Sequence, residues 1–266
     1  MIKTLKEILS RYTPATYVVK KTRTQDGVDG RVVAYADKDS SVAEQYRALR
    51  TGLYSLSPEK PIKTIVITST QSKEGKTLTA CNLAYTLCLD MEKKIALIDA
   101  DLRRASVHAV FGLSKKPGFS DILSGAVGLE HFLAKSAFGN LYIIPSGTLI
   151  DNPSELLSSA KIRTVIDILK SRFDYIIFDT PPVINVTDAS VLGYICDAVI
   201  LVVKAGATPK DMVEEAFNLL KRAHAEPKAC ILTDNVIPFH HYYMSKYRYY
   251  YRYRYNYSYK KKPAAP

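Results

Sequence analysis

Six short, almost wholly apolar runs, separated by longer stretches with helical periodicity, confine this chain to one kind of architecture. The runs are Thr64–Thr68, Ile95–Asp99, Leu141–Ile144, Tyr175–Asp179, Val199–Val203 and Ala229–Leu232. The helical candidates are Lys76–Asp90, Ser154–Arg172, Thr187–Cys196 and Pro209–His224. A strand that is apolar on both faces has no side for water, so its sheet must be covered twice. Alternation of such strands with helices predicts an α/β fold with a mostly parallel sheet and helices on both faces. In sheets of this kind ligands bind beyond the carboxyl ends of the strands.

Three of the runs end in motifs that can carry chemistry. TIVITSTQSKEGKT places a loop, Ser72 to Gly75, between a strand and a helix opening at Lys76. Backbone N–H groups of such a loop, with the helix N-terminus, make an anion cradle. This context makes the fold phosphate-loop-NTPase-like, with Ser72, Lys73, Glu74, Gly75, Lys76, Thr77 and Leu78 as candidate ATP-binding residues. Lys76 neutralises the β/γ-phosphates and Thr77 offers a hydroxyl to Mg²⁺. The strict GxxxxGK[ST] pattern is not met, because its first position is Thr70. In IALIDADLRR, Asp99 and Asp101 stand two apart at a strand end and can face one crevice. Hard cations prefer such oxygens, and one carboxylate can take a proton while the other holds metal. The bland alternative is a solvated surface turn. In YIIFDTPP, Asp179 ends a buried strand, as a second Mg²⁺-supporting carboxylate does in phosphate-loop enzymes.

Outside this core the chain changes character. Ten of the nineteen tyrosines fall between Tyr242 and Tyr259. Residues 235–266 hold seven Lys/Arg and no Asp/Glu, leaving +4 of the net +11 to residues 1–234. Basicity therefore belongs mainly to the tail, and overall charge is poor evidence for nucleic-acid binding. Three readings of the tail stand side by side: a strand with one aromatic face, a nucleic-acid platform of stacking rings and arginines, or a set of phosphoryl acceptors. Residues 1–40 read as a loose lead-in, 41–238 as the catalytic domain and 239–266 as a flexible tyrosine-rich tail. Ser41 and Glu44 have capping-box spacing, predicting a helix from Val42 to Leu56 that Ser57-Pro58 ends. No apolar run reaches the roughly 18 residues that span a bilayer, and the start lacks a secretory signal. The expectation is a cytoplasmic protein whose membrane link comes from a partner. Cys81, Cys88, Cys196 and Cys230 have no CxxC spacing and are expected to be buried, reduced thiols.

EQYRALRT (Glu44–Thr51), EGKT (Glu74–Thr77), LIDADLR (Leu97–Arg103), NPSELL (Asn152–Leu157), IIFDTPP (Ile176–Pro182) and the tyrosine tail together resemble the bacterial tyrosine kinases that regulate capsule and exopolysaccharide synthesis. The resemblance runs from about Ser41 to the C-terminus and is to the split form, in which a separate membrane protein of the polysaccharide co-polymerase type activates the kinase at the inner face of the plasma membrane. It implies that Lys76 and Thr77 are the Walker A pair, Asp99 and Asp101 the Walker A′ pair, and Asp179 the Walker B carboxylate. By the same resemblance Asp99 takes the acceptor hydroxyl's proton, and Thr77, Asp101 and Asp179 hold Mg²⁺. Glu44, Arg47 and Arg50 are implied to dock copies into a ring, an octamer. Tyr247, Tyr249, Tyr250, Tyr251, Tyr253, Tyr255, Tyr257 and Tyr259 are then phosphoacceptors used in trans, and a tyrosine phosphatase reverses the reaction. No nucleic acid is expected as a partner. From spacing alone, Glu44, Arg47 and Arg50 share one side of a helix, which equally suits a solvated charged face. The loop departs from the family in lacking the second glycine frequent before GKT, where Lys73 and Glu74 stand.

The rival reading is a switch ATPase of the chromosome-partitioning or division-site-selecting type. Those proteins usually carry a lysine five positions before the loop lysine, and this chain has Gln71 there. A third class, a nucleic-acid-binding regulator, would use the tail and no hydrolysable nucleotide.

Overall fold

The computed structural model describes residues 22–56, 61–133 and 137–234. Contacts divide the chain after Asn235, and only the first of its two units falls within these residues. Strands β1 (Thr64–Ser69), β2 (Ile95–Asp99), β3 (Leu141–Ile144), β4 (Tyr175–Asp179), β5 (Ala198–Lys204) and β6 (Ala229–Thr233) form one parallel sheet in the order β3-β2-β4-β1-β5-β6. All six runs expected as strands are strands, differing by at most a residue at an end. β4 lies between β1 and β2, and its register sets Asp179 beside both Ile67 and Asp99.

The described helices are α1 (Val33–Ala36), α2 (Ser41–Ser55), α3 (Lys76–Cys88), α4 (Val107–Val110), α5 (Phe119–Ser124), α6 (Glu130–Leu133), α7 (Pro153–Ser158), α8 (Ala160–Arg172), α9 (Asp188–Ile195) and α10 (Lys210–Arg222). Alternate strand residues feed two separate cores. Val66, Ile98, Phe178 and Leu201 pack on one face with residues of α5 and α7 to α10; Ile65, Ile67, Leu97, Ile177 and Ile200 pack on the other with residues of α1 to α4. The period of two along a strand sends neighbours to opposite faces, so each run had to be apolar throughout.

Four expectations need correction. The loose lead-in over 1–40 does not hold for residues 22–40. Val28 and Val32 are fully buried, and Asn82 of α3 accepts from Ala34 N (3.0 Å) and donates to Arg31 O (3.0 Å). Their few apolar residues among charges give no readable period. Residues 1–21 lie outside the described residues, as do Ser57-Pro58. The helix α2 begins one residue early, capped by Ser40, whose hydroxyl accepts from Ala43 N (3.1 Å), so Ser41 and Glu44 form no capping box. The single helix expected over Ser154–Arg172 is two, broken at Ser159, whose ψ of 154° is extended. Weak helix formers allow that break: the Ser158 hydroxyl donates to Ser154 O (2.7 Å). Of the cysteines, all free, only Cys81 is fully buried; the other three are partly exposed.

Candidate active site

The carboxyl ends of β1, β2 and β4 lie side by side, and each delivers one charged motif. After β1 the chain turns through Thr70–Gly75. Lys73 (φ 68°) and Gly75 (φ 91°) adopt left-handed backbone there, and α3 starts at Lys76. An added Cβ at Gly75 would stand 3.3 Å from Thr233 Cγ2, on backbone that L side chains rarely adopt, so glycine is required on two counts. Lys73, which is not a glycine, bears the strain of its positive φ itself.

The side chains converge. Lys76 Nζ donates to Asp101 Oδ2 (3.0 Å) and lies 3.5 Å from Asp179 Oδ1. Thr77 Oγ1 donates to Asp179 Oδ2 (2.7 Å) and accepts from Ser106 Oγ (3.2 Å). Asp99 Oδ2 accepts from the backbone N–H groups of Ser106 (2.9 Å) and Val107 (3.0 Å), at the start of α4, and Asp101 Oδ1 from Arg104 N (2.9 Å). Asp99 Oδ1 is buried with no hydrogen-bond partner. Burial, reinforced by the charge of Asp179, pushes the Asp99 carboxyl up to about 7. Burial also raises Asp179 above the usual carboxylate range, against the pull of Lys76 and Thr77. Burial works against the Lys76 ammonium, but Asp179 and Asp101 outweigh it and hold its pKa above the ordinary lysine value.

The sequence-derived site residues Lys76, Thr77, Asp99, Asp101 and Asp179 are therefore brought together. Ser72 and Lys73 are exposed on the loop, while Leu78 packs against the α3 side of the core. The Glu74 carboxylate is turned into the protein, 2% exposed, which leaves its backbone N–H as the group that the loop reading assigns to the phosphates. Glu44, Arg47 and Arg50 do lie on one helix, yet they are engaged within the chain. Arg47 pairs with Glu44 (2.6 Å) and donates to Lys38 O (2.9 Å); Arg50 donates to Thr86 O (3.0 Å). Tyr247, Tyr249, Tyr250, Tyr251, Tyr253, Tyr255, Tyr257 and Tyr259 lie outside the described residues. Sequence reasoning missed Ser106, which bridges Thr77 and Asp99, since a lone serine in LRRASVH carries no signal. It also missed a tie behind the motif: Arg103 Nη2 donates to Ser154 Oγ (3.0 Å), and Ser154 Oγ donates to Asp188 Oδ1 (2.6 Å).

The donor set suits Mg²⁺. Thr77 Oγ1 and the oxygens of Asp101 and Asp179 are hard ligands, and Mg²⁺ takes one or two carboxylates, completing its shell with waters and substrate phosphates. Among the described residues no group of three His, Cys, Asp or Glu side chains forms a ready cage. No described helix is long and apolar enough to cross a membrane.

A family model described as an AAA domain matches residues 62–231. The tyrosine-protein kinase YwqD of Bacillus subtilis is 34% identical over 212 residues, covering 80% of this chain and 89% of that protein. The kinase domain of the Escherichia coli tyrosine kinase ETK superposes with a TM-score of 0.73 at 28% identity, covering 89% of this chain and 91% of that one. The cell division ATPase MinD of Pyrococcus furiosus is more distant, with a TM-score of 0.54 at 24% identity over 66% of this chain and 76% of its own, a likeness of fold alone.

Proposed function

The chain belongs to the bacterial tyrosine kinases, and from that premise we propose that it transfers the γ-phosphoryl group of Mg-ATP to tyrosines of its own C-terminal tail, one copy acting on another. The observation that carries this reading is the unpartnered oxygen of Asp99, whose carboxyl titrates near 7 beside the loop lysine. A general base works best with a pKa near the working pH. Asp99 takes the proton of the attacking hydroxyl. Lys76, moving off Asp101 and Asp179, neutralises the β/γ-phosphates. Thr77, Asp101 and Asp179 would hold Mg²⁺, which would supply charge neutralisation to a loose transition state; beyond that the chemistry is mostly positioning.

The tail's seven cations draw it toward a site of carboxylates and phosphates. Each phosphotyrosine adds about −1.5 to −2 charges, so four or so cancel that attraction and release the tail. Copies docked through Glu44, Arg47 and Arg50 into a ring, an octamer, would offer each tail to a neighbour. A separate membrane activator would recruit the protein to the inner face of the plasma membrane, and a tyrosine phosphatase would reset it. The output is control of capsular or exopolysaccharide synthesis.

Intact mass of the full chain after incubation with Mg-ATP, before and after phosphatase, tests the proposal. Multiple phosphoryl additions confined to the C-terminal peptide are expected. An unmodified tail despite nucleotide hydrolysis, with the membrane activator present as well as without it, would overturn the kinase reading in favour of a switch ATPase.

A further inference from the structure

Glu74 sits in the middle of the phosphate loop, where a carboxylate facing the cavity would repel the phosphates. It faces the other way. Its side chain is 2% exposed, and among the described residues no lysine or arginine pairs with it. Burying a carboxylate without a cation is unfavourable unless hydrogen bonds replace its water. Three bonds gather on this one residue. The Thr208 hydroxyl donates to Oε1, Gln71 N donates to Oε2 (3.1 Å), and Thr233 Oγ1 donates to the main-chain oxygen (2.7 Å). Thr208 is itself buried at 8%, just before α10, and Thr233 is the last residue of β6. The loop's two left-handed residues, Lys73 and Gly75, bracket Glu74 directly.

We propose that Glu74 is a positioning residue that fixes the anion-cradling curvature of the phosphate loop from beneath, through Thr208 and Thr233 and without its side chain touching nucleotide. Successive N–H groups form an anion-binding concavity only when the backbone alternates its handedness. Here a non-glycine residue, Lys73, must hold positive φ, a conformation the chain left to itself disfavours. The Glu74 carboxylate anchors the next residue into the protein and thereby holds that turn. It also ties the loop to the start of α10 and the end of β6, elements that the phosphate-binding motif does not include. The proposal deepens the kinase reading and rests on it only in that the loop binds a nucleotide.

The test is equilibrium binding of fluorescent (mant-labelled) ADP with Mg²⁺ to the full chain, with thermal midpoints measured alongside without nucleotide. Thr208→Val should weaken binding about tenfold, the scale of a lost buried hydrogen bond to a charged group. Thr208→Ser, which keeps the hydroxyl, should bind within about twofold of the unmodified chain. Glu74→Ala removes both acceptor oxygens, so it too should weaken binding, and adding Thr208→Val should weaken it little further. Unchanged affinity in Thr208→Val, with only a lowered thermal midpoint, would assign Glu74 a merely structural role and overturn the proposal. Independent, multiplying effects of the two substitutions would also overturn it. If Glu74→Ala does not fold, the Thr208 pair decides alone. Failure of the kinase reading looks different: normal nucleotide affinity in the unmodified chain, with no phosphotyrosine formed.

Discussion

The ammonium of Lys76 lies 3.0 Å from the carboxylate of Asp101, 25 positions further along and at the end of a different strand, with both side chains nearly buried. This pair, joined by Asp179, neutralises a cluster that holds three carboxylates and one cation. Lys76 thus has two tasks: it offsets the charge of β2 and β4 strand ends, and it is the cation available to a bound phosphate. Lys76→Met should reduce tail phosphorylation by at least about a hundredfold, the scale set by removing one preorganised electrostatic contact from a transition state. Phosphotyrosine on the purified variant, measured by intact mass, checks this. The same variant should lose stability as pH rises, because ionised Asp99 and Asp179 then lack their counter-charge. Its thermal midpoint relative to the unmodified chain should fall further above pH 7 than well below it.

Asp99 gives the pH dependence its sign. Its folded pKa, about 7, lies above the ordinary carboxylate value of 3.8, so ionising it costs folding free energy that grows as pH rises from the unfolded pKa through the folded one. The proposed role as general base needs the ionised form. Autophosphorylation should therefore rise with pH to a plateau as Asp99 ionises, while the stability of the nucleotide-free chain declines as pH climbs toward about 7. Asp99→Asn should abolish the rise with the activity, and should raise the thermal midpoint more at pH 8 than at pH 5, since asparagine never carries the buried charge. A rate profile with no rising acidic limb would remove Asp99 as the base.

These groups were legible in the sequence because each charged motif interrupts an apolar strand at its end, where a parallel sheet exposes its ligand face. The same periodicity gave β1 to β6 almost to the residue. What periodicity could not give was set by single contacts between distant residues. Nothing local to Glu74 says that its carboxylate points inward, because Thr208, the side chain that meets it there, lies 134 positions away. Residues 22–40 read as loose because Val28, Val32 and Ala34 are too few to make a pattern, and become ordered only when Asn82 satisfies their backbone. The short helices α4 to α6 escaped for the same reason: four to six residues hold little more than one turn.

The Asp188 cluster should be worth more to stability than its distance from the loop suggests. Asp188 is fully buried at the start of α9, and it accepts from Ser154 of α7 at 2.6 Å and from Arg103 Nε at 3.3 Å. Arg103 is more than a third exposed, so the charge pair contributes modestly, and the buried Ser154 bond carries more. Asp188→Ala removes the acceptor for both donors and should cost about 2–4 kcal/mol, read from denaturant midpoints at constant slope. Ser154→Ala should cost about 1 kcal/mol, and the two losses should be less than additive because they share one bond.

Arg47 and Arg50 should separate in a way that spacing on a helix does not suggest. Arg50 donates to Thr86 O within α3, so removing it strips a partner from a helix carbonyl of its own chain. Arg47 instead pairs with Glu44, three residues back, with both side chains about a third exposed, and such pairs add little to folding. If both arginines dock copies into a ring, Arg47→Ala and Arg50→Ala should each lower the mass measured by light scattering toward that of the single chain. Only Arg50→Ala should also lower stability, by about 1 kcal/mol for the lost bond to a charged donor, while Arg47→Ala should stay within about 0.5 kcal/mol of the unmodified chain. A full-sized ring in Arg47→Ala would show that its guanidinium serves Glu44 and Lys38 O alone. A full-sized ring in Arg50→Ala, with stability lowered, would make that residue a link between α2 and α3 and nothing more.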